Sequence, residues 1–296
     1  MRSGIKYDKV MLNFSGGYDS LAAAIILAPE AAELELVTFR VLTSTAHRLA
    51  KRNVTRLIKE FPGTKITHKT IDVRDVQKKL LSGFSSFADK YSAEWAPMGL
   101  WCCSCQLTMR AASIIYCARN GIKYCADGAT RMEYYHSSHK IKVINQVKDL
   151  FAEYGIEYFN PVYDFPDDTE DILRKKRYRT GIEIFAMKTI QPLCWVAFFS
   201  NIRQQASPLG TPETIVASYV RDMVPRMREL IDLRLKEKGK SGMDAGSGGS
   251  VRIEYIGGKP EGKGINSAHE ALAGTLKTLF WPVYAVFGSV VKRRFR

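Results

Sequence analysis

The chain has 296 residues, of which 46% are hydrophobic and 25% are charged, so it can bury a substantial core and disorder is not its expected state. Its 44 lysines and arginines outnumber 30 aspartates and glutamates, and the formal charge of +14 favours a polyanionic partner, with RNA as the natural candidate. No apolar N-terminal stretch follows basic residues, so no secretory signal is expected. The six cysteines are then expected to be thiols or metal ligands in a reducing cytoplasm.

Buried strands and amphipathic helices alternate along the first half of the sequence. Five strands are predicted, at residues 10–14, 34–41, 66–73, 124–126 and 156–159. Helices are predicted from residue 21, around residues 54–61, at residues 106–120 and around residues 143–151, and Gly121 is expected to end the third of them. This alternation predicts an α/β fold with a doubly wound, parallel, five-stranded sheet, whose ligands bind beyond the carboxyl ends of the strands.

A short polar stretch, Ser15-Gly16-Gly17-Tyr18-Asp19-Ser20, joins the first predicted strand to the first helix. Two glycines let the backbone approach an anion closely, and a helix N-terminus offers unpaired N–H groups and a partial positive charge. The two serines add hydroxyl donors, and Asp19 adds a carboxylate suited to magnesium. We therefore expect this turn to hold a phosphate, and the alternative is an ordinary glycine turn between a strand and a helix.

The alternation fades beyond residue 180, and residues 211–238 are predicted to be mostly helical. Residues 241–250 have the composition of a flexible linker. We therefore expect a nucleotide-binding domain at residues 1–180, a helical extension at residues 181–240, this linker, and a basic tail at residues 251–296. The uncharged run at residues 278–291 contains Pro282 and is too short to cross a bilayer, so membrane insertion is not expected.

Three cysteines, Cys102, Cys103 and Cys105, precede the helix predicted from about Gln106. A helix N-terminus favours the thiolate, so a lowered pKa is expected for these thiols. Cys117 and Cys125 fall on the apolar side of the helix and in the next strand, where buried and inert thiols are expected. His47, His68 and His269 have no neighbours in the sequence that indicate catalysis.

The pattern Ser-Gly-Gly-x-Asp-Ser resembles the PP-loop of the N-type ATP pyrophosphatases, which cut ATP between its α and β phosphates and leave AMP on a substrate. The resemblance implies an adenine nucleotide alpha hydrolase-like fold. It also implies roles in holding ATP and Mg²⁺, or in meeting adenine and ribose through backbone atoms, for Ser15, Gly16, Gly17, Asp19, Ser20, Phe39, Arg40 and Gly128. Arg131 would neutralise the pyrophosphate leaving group, or else form a simple surface salt bridge.

Within that family, the register of Cys102-x-x-Cys105, Arg110, Gly121 and Ala126-x-Gly128 resembles the tRNA 2-thiolation branch, over residues 8–160. There, ATP adenylates the carbonyl oxygen of a tRNA base and sulfur then displaces AMP. The resemblance implies tRNA and a sulfur-donor protein as partners, and a homodimer. Cys102 and Cys105 would act as a catalytic pair or, together with Cys194, as ligands of a [4Fe-4S] cluster.

Other interpretations of the same residues stay open. A zinc site is one of them, because two thiolates and two imidazoles suit a tetrahedral ion, and its ligands would be Cys102, Cys105, His136 and His139. The adjacent Cys102 and Cys103 also resemble the sulfonucleotide reductases. Adenylation serves equally to form an amide or nitrile on a small molecule, as in the deazapurine-nitrile synthases, and a nucleotide-sensing or RNA-binding module without turnover is a third function.

Overall fold

The computed structural model describes residues 5–43, 50–82, 84–91, 97–131, 137–165, 169, 172–173, 212–237, 245–246 and 249–250. Its strands are β1 (Tyr7–Asn13), β2 (Ala31–Arg40), β3 (Lys65–Asp72), β4 (Tyr124–Ala126), β5 (Glu157–Phe159), β6 (Ala245–Gly246) and β7 (Gly249–Ser250). Its α-helices are α1 (Tyr18–Leu27), α2 (Lys51–Glu60), α3 (Arg74–Leu80), α4 (Phe84–Tyr91), α5 (Pro97–Asn120), α6 (Ile141–Glu153) and α7 (Glu213–Lys236). A 3₁₀ turn spans Ser137–His139.

The first five strands form one parallel sheet in the order β3-β2-β1-β4-β5, which confirms the predicted fold class. From β1 the chain moves outward through β2 and β3, and it then returns to the other side of β1 with β4 and β5. The strand order therefore reverses between β1 and β4. In a doubly wound sheet the loops that leave two such strands diverge and form the ligand crevice. β6 and β7 pair separately as a short antiparallel hairpin.

Each face of the sheet packs against its own set of helices, because successive side chains of a strand point to opposite faces. On one face Leu34 and Leu36 of β2 join a core with α1 and α2. On the other face Val37 and Phe39 join a core with α3, α5, α6 and α7. Helices thus cover both faces, which is the arrangement that a parallel sheet requires.

The helix predicted over residues 211–238 is α7, and it packs into the same core as the sheet. Seven buried residues of α7 share that core with α5 and α6: Val216, Tyr219, Val220, Met223, Met227, Leu230 and Ile231. The Tyr219 hydroxyl is also hydrogen-bonded to the Ser104 hydroxyl of α5. Within the described residues, no helix has both the length and the apolar character needed to cross a membrane.

The prediction that the third helix begins near Gln106 is wrong, because α5 begins at Pro97. The adjacent residues Cys103, Ser104 and Cys105 are all buried, as are Leu107 and Thr108. Burial on several sides, which includes polar residues, removes the one-sided apolar pattern by which an amphipathic helix is recognised. The cysteines consequently lie inside the helix, beyond its first turn. The effect of the helix dipole is confined to that turn, so the expected lowering of the thiol pKa loses its basis.

Candidate functional site at the carboxyl edge of the sheet

The loop between β1 and α1 makes a sharp turn that requires glycine at position 16. The Phe14 N–H donates to the Val37 carbonyl over 2.8 Å, which extends the pairing with β2 to the first loop residue. Gly16 then adopts a φ of +78°, a left-handed conformation that L side chains rarely adopt. A Cβ atom on Gly16 would also lie 2.7 Å from the Ala50 Cα, at the start of α2. The loop is therefore held by close backbone packing.

The two serine side chains of the loop bond to the loop itself. The Gly17 N–H donates to Ser15 Oγ over 3.2 Å, and Ser15 Oγ lies 3.1 Å from Ser20 Oγ, which donates to the Gly17 carbonyl over 3.2 Å. Gly17 is the N-cap of α1, and no side chain of the described residues caps the helix there. The first N–H groups of a helix lack intrahelical acceptors, so an anion can bind them.

The acidic residue of the loop, Asp19, lies in the first turn of α1. Its Oδ1 accepts a hydrogen bond of 2.7 Å from the hydroxyl of Thr169, which is buried and far away in the sequence. Carboxylate oxygens are the ligands that Mg²⁺ prefers. Asp19 therefore fits the magnesium role as a single carboxylate next to a site for phosphate.

The loop that follows β4 packs directly against this turn of α1. A Cβ atom on Gly128 would lie 2.6 Å from the Ser20 backbone nitrogen and 2.7 Å from the Asp19 carbonyl carbon. Real Cβ atoms do not approach backbone atoms so closely, so position 128 requires glycine. The structure thus brings the loops after β1 and β4 together at the point where the strand order reverses.

The end of β2 borders the same edge. β1 ends at Asn13, which is paired with Val37, so Phe39 and Arg40 extend beyond the end of β1. The Phe39 side chain is buried, and Arg40 Nη1 lies 3.7 Å from the carboxylate of Asp72. Partial burial opposes the ionisation of Asp72, but Arg74 and Arg40 outweigh it and hold the pKa of this carboxyl below its usual value. The backbone of Phe39 and Arg40 therefore lies at the carboxyl edge of the sheet, and its contact with adenine and ribose stays a prediction.

A second layer behind the loop was not predicted from the sequence. The Thr38 hydroxyl donates to the Phe14 carbonyl over 2.6 Å and accepts, over 2.9 Å, from Nε2 of His68. Burial, and next the charge of Lys51, lower the pKa of His68 to about 4, so the ring is neutral at pH 7. Thr38 and His68 thereby fix the residue that precedes Ser15. These hydrogen bonds connect β3, β2 and the residue after β1, so no pattern in the local sequence predicts them.

The paired cysteines lie one helical turn apart on α5, which places Cys102 and Cys105 on one face. Cys102 is partly exposed and Cys105 is 8% exposed. Since α5 leads into the parallel strand β4, its N-terminal half lies near the carboxyl edge of the sheet. The contact of 3.6 Å between Arg110 Nη2 and Asp127 Oδ2, directly after β4, agrees with this direction.

The other described cysteines are suited to packing. Burial raises the pKa of Cys103 to about 12, against the opposing charge of Arg110. Cys117 and Cys125 are buried as expected, and burial followed by contact with Cys117 raises the pKa of Cys125 well above its usual value. None of the five described cysteines forms a disulfide. Cys103 and Cys125 are therefore neutral core groups at pH 7.

Among the described residues, no group of three or more His, Cys, Asp or Glu side chains is arranged to hold a metal ion. Cys194 and His136 lie outside the described residues. Two of the three thiolates expected for a [4Fe-4S] cluster, Cys102 and Cys105, are therefore described. Three of the four zinc ligands expected from the sequence are also described, namely Cys102, Cys105 and His139.

Arg131 follows the loop after β4 and is 70% exposed at its side chain. Its guanidinium forms an ion pair with Asp164 and lies 5.6 Å from the centre of the Tyr163 ring. The Arg131 N–H donates to the Tyr163 carbonyl over 3.2 Å. Arg131, three positions from Gly128, thus forms the surface salt bridge that the sequence left open as the alternative role of this residue.

The fold and the loop define a doubly wound α/β protein with a glycine-rich turn at its topological switch point. No protein-family model matches the sequence, and no curated protein matches it. Three solved structures are similar to the chain at a TM-score of 0.38 each, and they are members of the PP-loop ATP pyrophosphatase superfamily.

The first of these structures is a predicted subunit of tRNA methyltransferase from Methanocaldococcus jannaschii, 20% identical over 57% of this chain and 74% of that one. The second is the U34-tRNA thiolase NcsA from Methanococcus maripaludis with its [4Fe-4S] cluster, 14% identical over 78% of this chain and 75% of that one. The third is NMN synthetase from Francisella tularensis, 12% identical over 75% of this chain and 86% of that one.

Proposed function

We propose that the chain is an ATP-dependent adenylating enzyme, which transfers AMP to an acceptor oxygen and releases pyrophosphate. The observation that carries this proposal is the glycine-rich turn Ser15–Ser20, which begins α1 at the switch point of the sheet, where Gly16 and Gly128 bring backbone close together. An anion with several phosphates matches this site. The Ser-Gly-Gly-x-Asp-Ser pattern supports cleavage between the α and β phosphates.

Each part of the site has a separate role in the proposal. The N–H groups that begin α1, with the hydroxyls of Ser15 and Ser20, bind phosphate oxygens. Asp19 would hold Mg²⁺, which neutralises phosphate charge when it is bound. The backbone of Phe39 and Arg40, beyond the end of β1, would contact adenine and ribose.

Arg131 is proposed to meet the pyrophosphate as it leaves. Its ion pair with Asp164 is exposed at both side chains, so breaking it costs less than about 1 kcal/mol and the guanidinium is available to the phosphates. We expect Arg131→Ala to lower turnover about tenfold to 100-fold with little change in stability. Asp164→Ala is the matched control, because it breaks the same ion pair but keeps the cation. Equal turnover in the two variants would mean that Arg131 forms only a surface salt bridge and takes no part in the reaction.

The proposed acceptor is a tRNA base, into which sulfur is inserted. The carbonyl oxygen of the base attacks the α phosphorus and expels pyrophosphate, and a sulfur nucleophile then attacks the base carbon and expels AMP with that oxygen. Cys102 and Cys105, on the part of α5 near the carboxyl edge, would carry the sulfur, and Cys194 would complete a [4Fe-4S] site. The formal charge of +14 supports a nucleic-acid substrate. A sulfur-donor protein and a homodimer remain predictions.

The test of adenylation is a direct analysis of the products. Incubation with ATP, Mg²⁺ and total tRNA is expected to yield AMP and pyrophosphate, and Asp19→Asn is expected to abolish both while the fold is retained. Asp8→Asn is the matched control, because Asp8 is an exposed carboxylate on β1. Production of ADP alone, or full turnover by Asp19→Asn, would overturn the proposal.

The test of the acceptor is nucleoside analysis of the tRNA by mass spectrometry. A sulfur-containing nucleoside is expected with the wild type and is expected to be absent with Cys102→Ala or Cys105→Ala. Cys117→Ala, a buried thiol on the same helix, should retain it. Iron absorbance after anaerobic purification that is lost in the first two variants would indicate the cluster. Pyrophosphate release that is independent of RNA would favour the small-molecule ligase instead.

A further inference from the structure

A buried carboxylate, Asp127, lies directly after β4 and is bonded on several sides. Its Oδ1 accepts a hydrogen bond of 2.9 Å from the Ala129 N–H and a second from the Asn160 side-chain amide. Its Oδ2 accepts from the Tyr158 hydroxyl and lies 3.6 Å from Nη2 of Arg110. The residue is 8% exposed, so it does not face solvent.

Arg110 makes this carboxylate costly to replace. The arginine side chain is 2% exposed, and its Nη2 donates to the Ser138 carbonyl over 3.0 Å. Its Nε and Nη1 have no hydrogen-bond partner among the described residues. Removal of Asp127 would leave a buried positive charge without its acidic neighbour, and such a loss is strongly unfavourable in protein interiors.

The bond from Ala129 to Asp127 spans Gly128 and closes a turn around it. Gly128 is the residue whose backbone contacts the Ser20 nitrogen and the Asp19 carbonyl carbon, where an added Cβ would lie within 2.6 to 2.7 Å of them. The path of the chain from Asp127 to Ala129 therefore determines how closely the second loop approaches the first turn of α1. That turn contains the N–H groups assigned to phosphate.

We propose that Asp127 is a positioning residue for the phosphate-binding turn. This role rests on the proposed function. Asp127 holds Gly128 against α1 and so keeps the N–H groups of that turn in the geometry that binds ATP. Asp127 is buried beneath the loop and acts through Gly128 rather than by contact with the nucleotide. Removal of Asp127 should therefore raise the KM for ATP by more than the accompanying loss of stability explains.

The experiment compares Asp127→Ala and Asp127→Asn with Glu35→Gln. Glu35 is another buried carboxylate, 2% exposed and on β2, whose partners lie away from the loop. For each variant, the KM for ATP, kcat and the melting temperature are measured. The exchange rate of the Leu21 amide, which donates to the Gly17 carbonyl over 3.0 Å, reports on the turn without nucleotide.

We expect Asp127→Ala to raise the KM for ATP about tenfold or more, with a smaller change in kcat, and to speed exchange at Leu21. Asp127→Asn keeps an oxygen for the Ala129 N–H and should recover part of the loss. Glu35→Gln should change the melting temperature but not KM. If Asp127→Ala does not fold, Tyr158→Phe removes one hydrogen bond while its ring still stacks on Phe151, and a smaller rise in KM is expected.

An unchanged KM in Asp127→Ala or, where that variant fails to fold, in Tyr158→Phe would overturn the inference. So would a rise in KM that tracks the melting temperature across all variants, including Glu35→Gln. The amide exchange separates this result from a failure of the proposed function. If the wild type binds no ATP but Leu21 exchanges faster in Asp127→Ala alone, the positioning role stands and the assignment of the ligand is wrong. If Leu21 exchanges equally in all variants, the positioning role is wrong.

Discussion

Two buried carboxylates on the same sheet, Asp127 and Glu35, have different relations to the candidate site. Glu35 lies midway along β2, where Lys69, Lys9 and the Tyr116 hydroxyl approach its oxygens to 2.5, 3.0 and 2.5 Å. Burial opposes the ionisation of Glu35, but these three partners outweigh it and keep its pKa below the usual value. All of them belong to the sheet or to α5, so this cluster ties those elements together.

Asp127 instead lies at the carboxyl edge, and one of its bonds shapes a loop that touches α1. Burial and ion pairing are common to both residues and therefore do not distinguish the carboxylate proposed to position the turn from the one that ties the sheet to α5. What separates the two residues is the element that each one restrains. Changes near Asp127 should therefore act on ATP use, and changes near Glu35 on stability.

The largest effect is expected from Gly128→Ala. The added Cβ would meet the backbone of Ser20 at 2.6 Å, so the two loops must separate, and we expect kcat/KM for ATP to fall about 100-fold. Gly121→Ala is the control, because Gly121 has a φ of +63° but open space around it, far along the chain from the loops. Steady-state kinetics and melting curves of both variants check the prediction. Equal losses of activity in both would contradict a specific effect at the loops.

A smaller effect, on stability, is expected from Glu35→Gln. The neutral amide no longer balances Lys9 and Lys69, and we expect the free energy of unfolding to fall by about 1–3 kcal/mol. The lowered pKa of Glu35 gives a stabilisation that is complete above its unfolded value of 4.5 and is lost as the pH falls through its folded value. Urea titrations at pH 7 and below pH 4.5 should show that the difference between wild type and variant narrows in acid.

At pH 7 the smallest effect is expected from His68, because its contribution to the pH dependence of stability lies below pH 6.5. Its pKa falls from 6.5 to about 4 on folding, so the unfolded chain binds the proton more readily, and stability should decline as the pH is lowered from 6.5 towards 4. His68→Gln keeps an N–H donor for Thr38 and should remove this decline. Melting temperatures across that range test it, and a decline that persists in the variant would assign it to other groups.

Local patterns were sufficient to predict the sheet and the turn at its edge. β4 lies where the apolar residues Tyr124–Ala126 predicted it, and Gly121 ends α5 as expected. The short helices α3 and α4 were not predicted, because they are too short for a clear helical period. The start of α5 was placed too late because its first half is buried on several sides.

The contacts that support the site could not be read from the sequence. Thr38 is 24 residues from Phe14, Thr169 is 150 residues from Asp19, and Asn160 is 33 residues from Asp127. Each of these side chains is ordinary in its own segment and gains its role only when distant strands and loops are brought together. A motif therefore predicts the position of the turn better than it predicts the distant residues that support the turn.

The late position of α7 in the chain affects the order in which the protein is completed during translation. All strands of the parallel sheet have been synthesised by Phe159, but the helix that covers part of one face begins only at Glu213. Until that helix leaves the ribosome, the apolar side chains of α5 and α6 lack their partner. Such nascent chains expose apolar surface and favour chaperone binding. A stop codon ahead of Glu213 should accordingly yield insoluble protein.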